Sequence, residues 1–156
     1  MRAYLSGGME HARNFGAGWR ARLQRWIEDE LRHKVFNPAV ISERYLNQHY
    51  PGISQKKLKV ADPERYRRLV SALLMLDCRE IANRTDYVIC LWDESAQKGA
   101  GTNGELTLAK YFDKPVYLVT SMKPPDIPGW ILACTTDFFS DFEGLKTFLR
   151  IRYGKN

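Results

Sequence analysis

Cysteine is scarce in this sequence. Cys78, Cys90 and Cys134 form no Cys-x-x-Cys pair, and any pairing leaves one over, which excludes a disulfide framework and the usual zinc spacings. Histidine is equally thin: His11, His33 and His49 stand at no helical ligand spacing, so no metal site is expected. No apolar run approaches the roughly 18 to 20 residues of a membrane span. The opening Met1 to Arg13 lacks the apolar core of a signal peptide, so a cytoplasmic protein without membrane contact is the expectation. There is no internal repeat and no low-complexity tract. No Gly-Lys-Ser/Thr step follows the glycine-rich stretch near residue 100, which excludes a Walker phosphate loop.

What the sequence has is the composition of a folded domain. Its 156 residues are 44% hydrophobic and 27% charged, enough for one core and one active site, and too few for two domains. The net charge is +6. Much of the excess lies in Lys56, Lys57, Lys59, Arg65, Arg67 and Arg68, a cluster that reads either as a solvated basic face or as an anion site.

Strand and helix signals alternate along the chain. Arg2 to Leu5 reads as a strand ending at the Gly7-Gly8 turn. Trp19, Leu23, Trp26, Ile27 and Leu31 recur at helical spacing over Ala17 to Leu31. Val35-Phe36 is a second strand, stopped by Asn37-Pro38. The segment from Val40 to Asp62 shows no sustained period and is read as a long loop or lid with about one helical turn. Pro63 opens a helix that runs to Asn83. Its apolar stripe carries one carboxylate, Asp77, which lies four residues from both Leu73 and Ile81 and needs a partner if buried.

Tyr87 to Trp92 is an apolar run of the kind found in a parallel strand covered on both faces. A glycine-rich loop, Lys98 to Gly104, then leads into a helix from Glu105 to Phe112, and Pro115 to Val119 forms another strand. Ser140-x-x-Glu143 predicts a capping box at the start of a last helix. This order predicts an α/β fold with a doubly wound, mainly parallel sheet, Rossmann- or flavodoxin-like, as a single domain. Such sheets bind ligands at the carboxyl ends of their strands, where Gly7, Gly8, Asn37, Trp92, Asp93 and the Lys98 to Glu105 loop are expected to gather.

Several of these residues admit two readings. Gly99-x-Gly101-x-x-Gly104 matches a dinucleotide pattern, but the strand ends too early for one. Thr102-x-x-Glu105 is by spacing a capping box, in which Glu105 folds back onto its own helix. The functional reading makes the same glutamate a nucleophile beside amides that cradle a sugar or an anion. Asp86 is either a turn residue or a site residue. Asp77 is either paired at a helix end or functional. Tyr4, Trp19 and Trp92 suit the core as well as a base-stacking role.

One combination points further. Asp77-x-x-x-Ile81-x-x-x-x-Asp86, an apolar strand, Gly101-Thr102-x-x-Glu105-Leu106-x-x-Ala109 and Lys114-Pro115-Val116 together resemble the nucleoside 2-deoxyribosyltransferase family. Tyr4 to Met9 and Val35 to Ala39 look like the openings of relatives in the same superfamily, which also contains nucleoside 5'-monophosphate N-glycosidases. The resemblance implies cleavage or transfer at an N-glycosidic bond of a nucleoside or nucleotide, through a covalent glycosyl ester and without a cofactor.

The family's nucleophilic glutamate falls on Glu105, its sugar-side aspartate on Asp86 and its first-strand tyrosine on Tyr4. Substrate contacts are expected from Gly7, Gly8, Asn37, Asp77, Trp92, Asp93, Gly101, Thr102 and Asn103. The chain departs from the transferases at Gly99, where an aspartate is usual, and at Thr107, where glycine is usual. It also lacks the phosphate-binding serine of the hydrolases. Helix-terminal placement is expected to keep Glu105 ionised. The resemblance also implies a homo-oligomer. A non-catalytic nucleotide sensor of the same fold and, last, a nucleic-acid-binding module built on the basic cluster remain alternatives.

Overall fold

The computed structural model describes residues 1–154. Five strands form one parallel sheet in the order β2-β1-β3-β4-β5: β1 (Arg2–Gly7), β2 (Lys34–Phe36), β3 (Tyr87–Leu91), β4 (Val116–Val119) and β5 (Asp137–Phe139). Parallel neighbours need crossover connections, and these helices supply them. They are α1 (Ala17–Trp26), α2 (Pro38–His49), α3 (Gln55–Ala61), α4 (Pro63–Asn83), α5 (Glu94–Lys98), α6 (Ala100–Tyr111), α7 (Gly129–Cys134) and α8 (Phe142–Tyr153). The α/β parallel architecture expected from the sequence is the one observed. No described helix is long and apolar enough to cross a membrane.

Alternation along the strands divides the core into two faces. Ala3, Leu5, Tyr87, Ile89 and Tyr117 pack against Leu23 of α1, Ile27 of the helical turn that follows it, and Leu145 and Leu149 of α8. Tyr4, Val88, Cys90 and Leu118 face the other way, onto Ile81 of α4 and onto Leu106 and Ala109 of α6. Adjacent residues of β1 therefore serve opposite cores, which sends Tyr4 and Ser6 to the same side as α4 and α6.

Two local expectations are corrected. The segment from Val40 to Asp62 is not a loop but the greater part of α2 and all of α3. Apart from Ile41, which packs on the core that includes Tyr4 and Phe36, their apolar residues turn away from the sheet. Tyr45, Leu46, Ile53 and Leu58 form a small third core with Leu69 and Leu73 of α4, so their spacing does not repeat as one long stripe. The last helix is capped by Asp141, whose carboxylate accepts from the Gly144 amide at 2.8 Å, rather than by Ser140. Glu143 lies in the first turn and pairs with Lys146.

Candidate functional site

The sheet reverses its winding between β1 and β3. The chain leaves β1 for α1 on one face and leaves β3 for α5 and α6 on the other, opening a crevice at the carboxyl ends. Gly7, paired with Leu91, and Gly8 begin the loop that borders this crevice. Gly8 lies so close to α5 that a Cβ there would come within 2.6 Å of the Ser95 backbone, which demands glycine. Asp93 closes the opposite side by capping α5, its Oδ1 accepting from the Ser95 amide at 2.9 Å and the Ala96 amide at 3.0 Å.

On the α4–α6 side of β1, three polar side chains converge where the strand pattern alone asks for apolar ones. The Tyr4 hydroxyl donates to Glu105 Oε1 at 2.9 Å, and the Ser6 hydroxyl donates to Oε2 at 2.5 Å. Tyr4 and Ser6 are fully buried, and Glu105 is partly buried. Both oxygens of one carboxylate are thus held by hydroxyls two residues apart on one strand. Burial pushes the Glu105 carboxyl above its ordinary range, while the Ser6 and Tyr4 hydrogen bonds and the Arg20 charge pull it down.

Asp77 completes the cluster from α4. Burial first, and then the Glu105 charge, raise its carboxyl to about 7, against the opposing influence of the Tyr4 hydroxyl and Arg20. Tyr4 responds to both carboxylates: its phenol is held well above the ordinary range by burial, then by Glu105 and Asp77. The arrangement is a pair of carboxyl groups sharing one tyrosine, with a proton available to one of them near neutral pH.

The helix carrying Glu105 begins earlier than its sequence suggests. Gly99 is the cap of α6 and Ala100 its first residue, so Gly101, Thr102, Asn103 and Gly104 are helical and do not form a loop. Gly101 is exposed and Thr102 is buried, while Asn103 Nδ2 donates to the Gly99 carbonyl at 3.1 Å. Two expectations fall with this. Thr102 caps nothing, so the capping-box reading of Glu105 has no cap to belong to. Glu105 also stands in the second turn, where its proton affinity is set by burial and hydroxyl donors and not by the helix end.

The predicted site residues divide accordingly. Glu105, Tyr4 and Asp77 come together on the α4–α6 side of β1, where Ser6, the residue before Gly7, bonds the same Glu105 carboxylate. Asp86 does not join them. It sits at the amino edge of the sheet, its carboxylate accepting from the Arg2 amide at 2.6 Å. It is four residues, or about 13 Å of strand, before Cys90, the register partner of Ser6. Asp86 is the strand-start residue of the first reading, and the second carboxylate beside Glu105 is Asp77.

Trp92 is 1% exposed within the core, which leaves no ring face for a substrate. Asn37 is the cap of α2, accepting from the Ala39 amide at 3.2 Å and donating to Gln24 at 3.0 Å.

Two further residues were not anticipated. Ser6 has a weak signal, a hydroxyl alternating with Tyr4 on a buried strand. Arg20 has a stronger one, because it falls on the apolar stripe three residues before Leu23 and seven before Ile27. It is fully buried and donates to the carbonyls of Leu5 at 3.1 Å, Gly7 at 2.8 Å, Phe15 at 3.1 Å and Gly16 at 3.2 Å. One guanidinium fork therefore ties the end of β1 to the loop that follows. Among the described residues no group of three or more His, Cys, Asp or Glu is placed to hold a metal ion. Compared with known proteins, the chain matches no family model and no curated protein.

Proposed function

We propose that the chain cleaves or transfers at the N-glycosidic bond of a nucleoside or nucleotide, with Glu105 as nucleophile and Asp77 as the proton-carrying group. The observation that carries this reading is the pairing at Glu105. Both carboxylate oxygens are fixed by hydroxyl donors on β1, beside a second carboxyl group that titrates near neutrality. A retaining mechanism at a glycosidic carbon needs these two roles, one carboxylate to attack and one acid to help the leaving group.

In the first step a Glu105 oxygen forms a bond to C1' of the sugar. The C1'–N bond breaks, and its electron pair leaves with the base, which takes the proton of neutral Asp77. In the second step water, or the nitrogen of a second base, attacks C1' and the ester bond breaks, returning the electron pair to Glu105. Asp77 takes back the proton that the incoming group loses. Tyr4 and Ser6 keep the carboxylate aimed through both steps. The choice between water and a second base separates a hydrolase from a transferase.

The outer face of α4 supports an oligomer in this reading. Val70 and Leu74, one turn apart, are exposed there, on the helix that also carries Asp77, and give a second copy an apolar surface to pack on.

The test is incubation with a panel of deoxynucleosides and their monophosphates, with and without a free acceptor base. Release of free base and sugar, or exchange of bases, supports the proposal. Neither product from any member of the panel, with the substrates still bound, would assign the fold to a sensor.

A further inference from the structure

The six basic residues between Lys56 and Arg68 are not equivalent. Lys59 pairs with Glu10, and Arg67 grips Glu64 through two hydrogen bonds of 2.8 and 3.1 Å. Arg68 is 3.7 Å from the same carboxylate, and the Arg65 guanidinium lies 4.9 Å over the ring of Tyr50. Only Lys56 and Lys57 have neither a carboxylate nor a ring partner among the described residues. Both line the same groove.

That groove runs between the loop after β1, α1, α2 and the start of α3, with a volume of about 850 Å³. Small-molecule sites are typically about 300 to 1,000 Å³. Ala17 and Ala21, one turn apart on α1, contribute only methyl groups to its wall, while Phe15, Leu46 and Ile53 supply apolar surface. Glu43 is the single carboxylate on the lining, so the ammonium pair leaves the groove net positive.

The wall formed by the loop is built at a cost. Asn14 and Phe15 both hold left-handed backbone, with φ of 48° and 52°, a conformation that residues with a Cβ rarely adopt. The bonds from Arg20 to the Phe15 and Gly16 carbonyls keep it in place. Tyr4, Ser6, Asp77 and Glu105 are not on the lining.

We propose that this groove binds a small organic phosphate. Its apolar body lies against Phe15, Leu46 and Ile53, and its phosphate sits on Lys56 and Lys57, at a site separate from the Glu105 carboxylate. Two ammonium groups on one lining match a dianion better than a singly charged carboxylate. The apolar wall distinguishes an organic phosphate from inorganic phosphate.

Calorimetric titration with 1-naphthyl phosphate, 1-naphthol and inorganic phosphate tests each half of the proposal. The naphthyl phosphate is expected to bind at least about tenfold tighter than either other probe, an advantage that shrinks as salt rises. Lys56→Ala with Lys57→Ala should remove its advantage over naphthol. Ala21→Phe, which fills the groove from α1, should weaken both aromatic probes, and Glu105→Gln should leave all three unchanged. Melting temperatures close to wild type show that the variants fold.

The proposal is overturned by no binding of naphthyl phosphate, by equal binding of the three probes, by an advantage that survives the lysine double variant, or by loss of binding in Glu105→Gln. It stands or falls independently of the chemistry at Glu105, because none of these readouts requires turnover.

Discussion

Tyr4 and Glu105 are 101 residues apart in sequence, and the tyrosine hydroxyl donates to the glutamate across 2.9 Å. This bond joins β1 to α6, the helix that carries the proposed nucleophile. A hydrogen bond to an ionised partner contributes about 1.5 to 3 kcal/mol. Tyr4→Phe removes the donor and keeps the ring that stacks on Phe36 at 5.3 Å. With one donor lost, the anion is less favoured, and the acid limb of the pH–rate profile should move to higher pH. Turnover on that acid limb should fall roughly ten- to a hundredfold. A profile superimposable on wild type would show that the phenol does not act on the carboxylate.

Asp77 makes a prediction about stability as well as rate. Its folded carboxyl titrates at about 7, well above the unfolded value near 4. The folded state therefore holds a proton that the unfolded chain has released. This contribution to stability is fully present below about pH 4 and is lost as pH rises through 7. Asp77→Asn should make the protein more stable than wild type at pH 8, by roughly 1 to 4 kcal/mol, and should flatten the decline between pH 4 and 7. Denaturant midpoints measured across that range check it. The same variant should lose most of its turnover, since an amide cannot give the base a proton.

The two carboxylates also show what a sequence reveals and what it hides. The parallel sheet, α4 and the apolar β3 follow from the sequence pattern, because α4 buries one stripe and β3 is covered on both faces. Asp77 is visible by the same logic, as a charge on an apolar stripe, and Arg20 carries the identical signature. Asp86 misleads because a motif gives spacing along the chain but not the edge of the sheet on which a residue falls. The start of α6 misleads for another reason. Gly101 and Gly104 read as loop, yet α6 packs on the sheet through Leu106 and Ala109, and tertiary contact overrides their low helical propensity. The helices between Val40 and Asp62 are hidden because most of their apolar residues, Tyr45, Leu46, Ile53 and Leu58 among them, serve a core of their own.

Arg20 holds the loop after β1 by its geometry, so conserving its charge is not enough. A lysine has no planar fork and can reach fewer of the carbonyls that the guanidinium serves. Arg20→Lys should destabilise the protein by roughly 2 to 4 kcal/mol, with buried carbonyls left unpaired. Arg20→Met should cost at least as much. In both variants limited proteolysis should cut first between His11 and Gly16, because the left-handed Asn14 and Phe15 lose the bonds that over-determine them. Cutting at an unrelated loop, with this one still protected, would show that another contact orders the segment.

The decisive substitution is Glu105→Gln, because the structure removes the alternative in which this residue merely caps a helix. The amide keeps the shape and can still accept one hydroxyl hydrogen bond, but it cannot form a glycosyl ester. Turnover should fall by orders of magnitude. Stability should not follow, since the substitution also removes a buried charge whose proton affinity is already raised by burial. A second consequence follows from the coupling. The Glu105 charge is one of the influences holding the Asp77 carboxyl up, so without it Asp77 should titrate at lower pH, which carboxyl-resolved NMR would measure directly. A 2-fluoro arabinosyl substrate analogue, whose fluorine slows breakdown of the ester, should add one sugar mass to the wild type and none to the variant. If the variant keeps full turnover and the wild type forms no adduct, Glu105 is not the nucleophile. An unmoved Asp77 titration would separately show that the two carboxylates do not share their field.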